Sequence, residues 1–132
     1  MIARRPILAG LALAMLGGRA FAFGRPAMEE IDLFGMIGKI TAAPGKRDAL
    51  IALLTEGTAG MPGCISYVVA EDRANADAIW VTEIWTTKAH HEDSLKLPAV
   101  QAAIAKGRPM IAGFETSAET RPVGGHGMTP EN

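Results

Sequence analysis

Apolar and polar positions change period several times along the chain, and the changes divide it into elements. Phe34 to Thr41, FGMIGKIT, reads as a strand closed by the turn Ala43-Pro44-Gly45. From Lys46 the period lengthens. Leu50, Leu53 and Leu54 recur at i, i+3 and i+4 with Asp48 in the first turn, which predicts a helix that Gly57 and Gly60 break. After the turn Met61-Pro62-Gly63 comes Cys64 to Glu71, CISYVVAE, rich in the β-branched and aromatic residues that suit a pleated surface. The polar loop Asp72 to Asp77 then leads into Ala78 to Thr86, AIWVTEIWT, a returning strand expected to lie antiparallel to the one before. Lys88 to Ser94 predicts a short helix, followed by a second that opens on Pro98 and stops at Gly107. Met110 to Arg121 is the last strand, weakened by Gly113.

The order βαββ(αα)β, without internal repeat, predicts an α+β sandwich of ferredoxin-like type, a four-stranded antiparallel sheet with its helices on one face. Its other face is then bare. An apolar sheet face is covered economically by the same face of a second copy, so a homodimer is expected, the two sheets making a dimeric α/β barrel. The strand Ala78 to Thr86 agrees: Ile79, Val81, Glu83 and Trp85 share one face, while Trp80, Thr82 and Ile84 share the other. Both faces carry bulky apolar groups.

The ends of the chain follow a different pattern. Met1 to Phe23 has Arg4 and Arg5, an apolar run from Ile7 to Leu16 and then Ala20-Phe21-Ala22, the order of a secretory signal, with a run too short to span a bilayer comfortably. Cleavage is expected after Ala22. The paired arginines before Pro6-Ile7-Leu8 leave both the twin-arginine and the general secretory route open, and either predicts a periplasmic or secreted protein. The expected organisation is a leader at 1–22, a linker at 23–32, one domain at 33–121 and a tail at 122–132 with too little apolar content to order itself.

Loss of the leader removes Arg4, Arg5 and Arg19 and no acid, so 13 basic and 14 acidic residues become 10 and 14. That balance disfavours nucleic acid and attachment to anionic lipid once the leader is gone. Cys64, the single cysteine, permits no internal disulfide and reads as a small buried hydrophobe.

Candidate chemistry gathers in WVTEIWTTKAHHEDSL, Trp80 to Leu95. Glu83, flanked on its face by Val81 and Trp85, needs a partner or a function. It is either a structural carboxylate holding a cation or a proton-transfer group. His90 and His91 point about 100° apart on a helix and cannot chelate one metal, and no metal-ligand spacing accompanies them. His90 is expected outward and His91 inward, facing a cavity with Leu95 one turn later and with Tyr67 and Trp85 on the sheet. An inward His near neutrality is a candidate general base, alongside its ordinary structural role. Phosphate and dinucleotide motifs are missing, so no nucleotide cofactor is expected.

The segments PGKRDALIALL, MPGCISYVVAED, WVTEIWTTKAHHEDSLKLPAVQAAI and GRPMIAGFE together resemble the antibiotic biosynthesis monooxygenase family over most of the mature chain, with Glu83, Trp85 and His91 in its E-x-W and helix-start His region. The resemblance implies a ferredoxin-like dimer that oxidises a small quinol or phenol with O2 and without metal or flavin. With that chemistry His91 is the expected proton acceptor and Trp85 and Tyr67 position the ring; Glu83 is expected in support, and Leu95, Met36 and Phe114 complete the expected substrate-binding set. Departures are also visible: relatives often carry a second His where Ser94 stands, and the Asn and His of heme-degrading relatives have no counterpart in FGMIGKIT or in Pro98 to Lys106. The rival function is a dimeric module that binds a small ligand, or serves a stress response, without turnover.

Overall fold

The computed structural model describes residues 32–128. The expected leader, the linker up to residue 31 and the last four residues of the tail lie outside them. Within the described part the elements are β1 (Phe34–Ala42), α1 (Arg47–Gly57), β2 (Cys64–Glu71), β3 (Ala78–Trp85), α2 (Lys88–Ser94), α3 (Pro98–Gly107), a single 3-10 turn (Arg108–Met110) and β4 (Ile111–Thr120). The strands form one antiparallel sheet in the order β2-β3-β1-β4, so the fold is α+β and ferredoxin-like.

Small boundary differences have local causes. β3 stops at Trp85 because the Thr86 N–H turns to the Gly63 carbonyl at 2.9 Å, and β4 starts at Ile111 because Pro109 sits inside the 3-10 turn. Gly63 has φ +81°, where a side chain is strained, and a Cβ there would overlap the ring of His90. α1 and α3 meet at Gly57, where a Cβ would collide with that of Ala103.

Register decides what faces what. Phe34, Met36 and Ile40 on β1 stand opposite Trp85, Glu83 and Ile79 on β3, and Tyr67 on β2 stands opposite Glu83 from the other side. Met36, Glu83 and Tyr67 thus form one row across three strands, pointing toward the helices. The apolar core on this face is in two parts. One holds Ile40, Ala42, Leu50, Ile79 and Val81, the other Phe34, Met61, Trp85 and Val100, and Tyr67 packs against both. Leu50 and Ile79 are fully buried, about 1.5–3 kcal/mol each relative to exposure.

The opposite face has no helix among the described residues and exposes Ile37, Trp80 and Val68 by 37, 37 and 52%. Arg47 braces the β2–β3 hairpin: Nη1 donates to the carbonyls of Asp72, Asn75 and Ala78, and Nη2 lies 3.4 Å from a Glu71 carboxylate oxygen. Asp72 closes the hairpin loop, accepting from Trp80 Nε1 at 2.7 Å and from the N–H groups of Ala74 and Asn75. Donation from the Trp80 indole holds the Asp72 carboxyl below its usual range.

Candidate functional site

A cavity of about 650 Å³ lies between the sheet and helices α1 and α3, at the division between the two parts of the core. Its walls are apolar, supplied by Met36, Ile40 and Val81 from the sheet, Leu50, Leu53 and Leu54 from α1, and Val100 and Ile104 from α3. Volume and lining fit a small organic ligand held by a few polar groups. At one end those groups are Glu83 and Tyr67.

Glu83 is the chemical centre of that end. Its side chain is 14% exposed, and one oxygen, Oε1, takes two neighbours: Trp85 Nε1 donates to it at 2.9 Å and His91 Nε2 lies 3.6 Å away. The second oxygen has no hydrogen-bond partner among the described residues. The strand dictates this arrangement, since Glu83 and Trp85 are two residues apart and share a face. Tyr67, across from Glu83, has its phenol pushed above the ordinary value of 10.0, first by burial and then by the Glu83 charge. Cys64 is raised by the same two causes in the same order, and its thiol donates to the Ser66 carbonyl at 3.5 Å, which suits the small-hydrophobe reading.

Two sequence-predicted residues need correction in position. Trp85, expected as a wall of the cavity, is fully buried behind it, because its ring fills the second part of the core, whose neighbours Met36, Tyr67 and Val100 form the wall instead. His91, expected to look across the cavity, does not line it. Its ring is packed between Phe34 (centroids 5.3 Å apart) and Trp85 (5.5 Å), with Nε2 turned to Glu83 and Nδ1 buried without a partner among the described residues. Seven residues of α2 hold it there, with Thr87 Oγ1 accepting from the His90 N–H at 3.1 Å as the N-cap.

His90 is exposed, as expected, but tied: its Nδ1 is 2.7 Å from Thr86 Oγ1 and 3.1 Å from Thr87 Oγ1. Met36, Tyr67, Leu95 and Phe114 all line the cavity, with Leu95 43% and Phe114 72% exposed toward its mouth. Sequence reasoning missed Leu53 and Leu54, whose helical spacing marks only an inward face, Arg108 at the other end of the cavity, and Lys39 and Glu115, which border the cavity although the register puts them on the outer sheet face with Trp80. Lys39 and Glu115 are paired at 3.7 Å, a pairing that depends on the β1–β4 register. Among the described residues no group of three or more His, Cys, Asp and Glu is placed to hold a metal ion.

A family model described as antibiotic biosynthesis monooxygenase matches residues 33–106. A crystal structure from Chloroflexus aurantiacus J-10-fl that carries the same family name is 58% identical, with a TM-score of 0.72, over 74% of this chain and 99% of that one. Structures from Pseudomonas aeruginosa (21% identity, TM-score 0.62, 70% of this chain and 96% of that one) and Caulobacter crescentus CB15 (17%, 0.64, 71% and 92%) share the fold. No curated protein matches.

Proposed function

The chain belongs to the antibiotic biosynthesis monooxygenase family, and on that premise we propose that it is an exported monooxygenase that oxidises a small quinol or phenol with O2, using neither metal nor flavin. The observation that carries the reading is the carboxylate of Glu83, with one oxygen fixed by Trp85 and the other unpartnered among the described residues, set across from Tyr67 in an apolar cavity. A phenol placed there gives its proton to Glu83, while Tyr67, kept neutral, donates a hydrogen bond to the ring oxygen. Glu83 takes the role of proton acceptor expected of His91, because Glu83 reaches the cavity and His91 stands behind it. His91 and Trp85 then act by holding Glu83.

Loss of the proton makes the ring electron-rich enough to pass one electron to O2. The resulting radicals combine at a ring carbon to a peroxide, whose O–O bond breaks as that carbon gives up its hydrogen as a proton and becomes a carbonyl, the distal oxygen leaving with a proton as water. For a quinol the products are a hydroxyquinone and water, and the quinol supplies all four electrons, so no separate reductant is needed. An apolar cavity favours the step by keeping water from the anion.

Oxygen uptake by the purified mature protein against a panel of quinols, with autoxidation subtracted, tests this. Saturable uptake without added cofactor is expected, and Glu83→Gln is expected to lower it by about 10²-fold or more while binding persists. A protein that binds these phenols but consumes no oxygen above background would instead be the non-catalytic binding module.

Export and assembly complete the proposal. The leader pattern supports cleavage after Ala22 and a periplasmic or secreted mature protein, which the intact mass of the exported chain tests: a chain that still begins before residue 23 contradicts it. The bare sheet face, with Ile37, Val68 and Trp80 exposed, supports a homodimer.

A further inference from the structure

The end of the cavity remote from Glu83 carries a charge of the opposite sign. Arg108, in the 3-10 turn between α3 and β4, lines the cavity with Gly107, Ile111 and Phe114, and it forms no ion pair among the described residues. Lys39 nearby is already committed to Glu115 at 3.7 Å and lies over the Trp80 ring. A cation at the C-terminus of α3 is favoured by the helix dipole. That accounts for a basic residue here. It does not account for one lining an apolar cavity with no ion-pair partner among the described residues, the acid that borders the cavity nearby, Glu115, being held by Lys39.

β1 measures the separation. Glu83 stands opposite Met36, whereas Ile111, just after the Arg108 turn, stands opposite Ala42, and the Ala43 N–H donates to Met110 O at 2.8 Å. Six residues of strand separate the two positions, roughly 20 Å at the rise of a β-strand. Arg108 is exposed, and its side chain, directed into the cavity by a bound anion, would shorten that span. A single phenol ring reaches one end only.

We propose that Arg108 is an anion-binding subsite, and that the preferred ligand is an elongated phenolic acid, with its phenol at Glu83 and Tyr67, an apolar body along β1 and a carboxylate at Arg108. This rests on the phenol reading above and adds to it length and an acidic end. Arg108 determines specificity and takes no part in proton transfer.

Isothermal titration of a para-hydroxyphenyl octanoic acid and of its primary amide separates the two claims. The acid is expected to bind the wild-type protein about tenfold more tightly than the amide, the preference shrinking with added salt. Arg108→Gln is expected to abolish that preference by weakening the acid alone, and Arg108→Lys to keep part of it. Equal binding of acid and amide to the wild type, or a preference that survives Arg108→Gln, overturns the anion subsite and leaves the phenol reading standing. Failure of both compounds, and of shorter quinols, to bind overturns the phenol reading and the subsite together.

Discussion

Tyr67 belongs to both parts of the core and faces Glu83, so its ionisation reports on the cavity. It is the single tyrosine of the chain. Burial first and the Glu83 charge second make the folded protein hold the phenolic proton more tightly than the unfolded chain does. The stabilisation from this is complete below pH 10, the ordinary value, and is lost as pH rises from there through the folded value. An alkaline ultraviolet titration should show no tyrosinate forming near pH 10 until the protein unfolds, and Glu83→Gln should bring ionisation earlier. Ordinary ionisation near 10 in the native protein would place Tyr67 in solvent. Residue identity was readable at this scale, residue role less so. An acid between Val81 and Trp85 announces a special position, and Glu83 occupies one. Period two also places Trp85 on the inner face, yet nothing in the alternation separates a residue that walls a cavity from one that fills the core behind it. That distinction depends on Met61, Val100 and Leu97 arriving from other elements.

At the scale of elements the turn after α1 carries a specific demand. Gly63 combines a positive φ with the His90 ring lying where a Cβ would go, and its carbonyl accepts from the Thr86 N–H. Gly63→Ala should therefore destabilise the protein by about 1–3 kcal/mol in a urea titration, through backbone strain and displacement of α2. An unchanged midpoint would show that the turn adapts. All four strands and three helices were legible, because each has its own period and each boundary a Pro, Gly or polar loop. The 3-10 turn was not. Arg-Pro-Met reads as the approach to a strand, and what ties the turn to the sheet is a contact from a distant segment, the Ala43 N–H donating to Met110 O.

For the whole molecule the sheet leaves one side to explain. Ile37, Val68, Trp80 and the half-buried Ile84 lie on the face away from the helices. A charge placed in the middle of that face should oppose pairing of two sheets, so Val68→Arg is expected to halve the mass seen by light scattering at micromolar concentration, leaving the secondary structure intact. A wild-type protein of monomeric mass under the same conditions would refute the dimer. The need for a cover was legible in the alternation of β3, where both faces are apolar; a cavity beside Tyr67 and Leu95 was expected too, but not its extension between the two half-cores to Leu53, Leu54 and Arg108, because a gap leaves no mark on the pattern of the residues that surround it.

The chain has two tryptophans, and β3 sends them in opposite directions. Trp85 is sealed inside, its indole on Glu83, while Trp80 stands on the outer face with Lys39 above its ring. The molecule thus holds two built-in light emitters in unlike surroundings, one shielded and expected to emit at shorter wavelength, the other 37% exposed and open to quenchers. A compound entering the cavity should disturb the first, and closure of a neighbouring surface over the sheet should dim access to the second. One spectrum, resolved by a quencher that reaches only the outer ring, can then follow occupancy and assembly as separate events in the same sample.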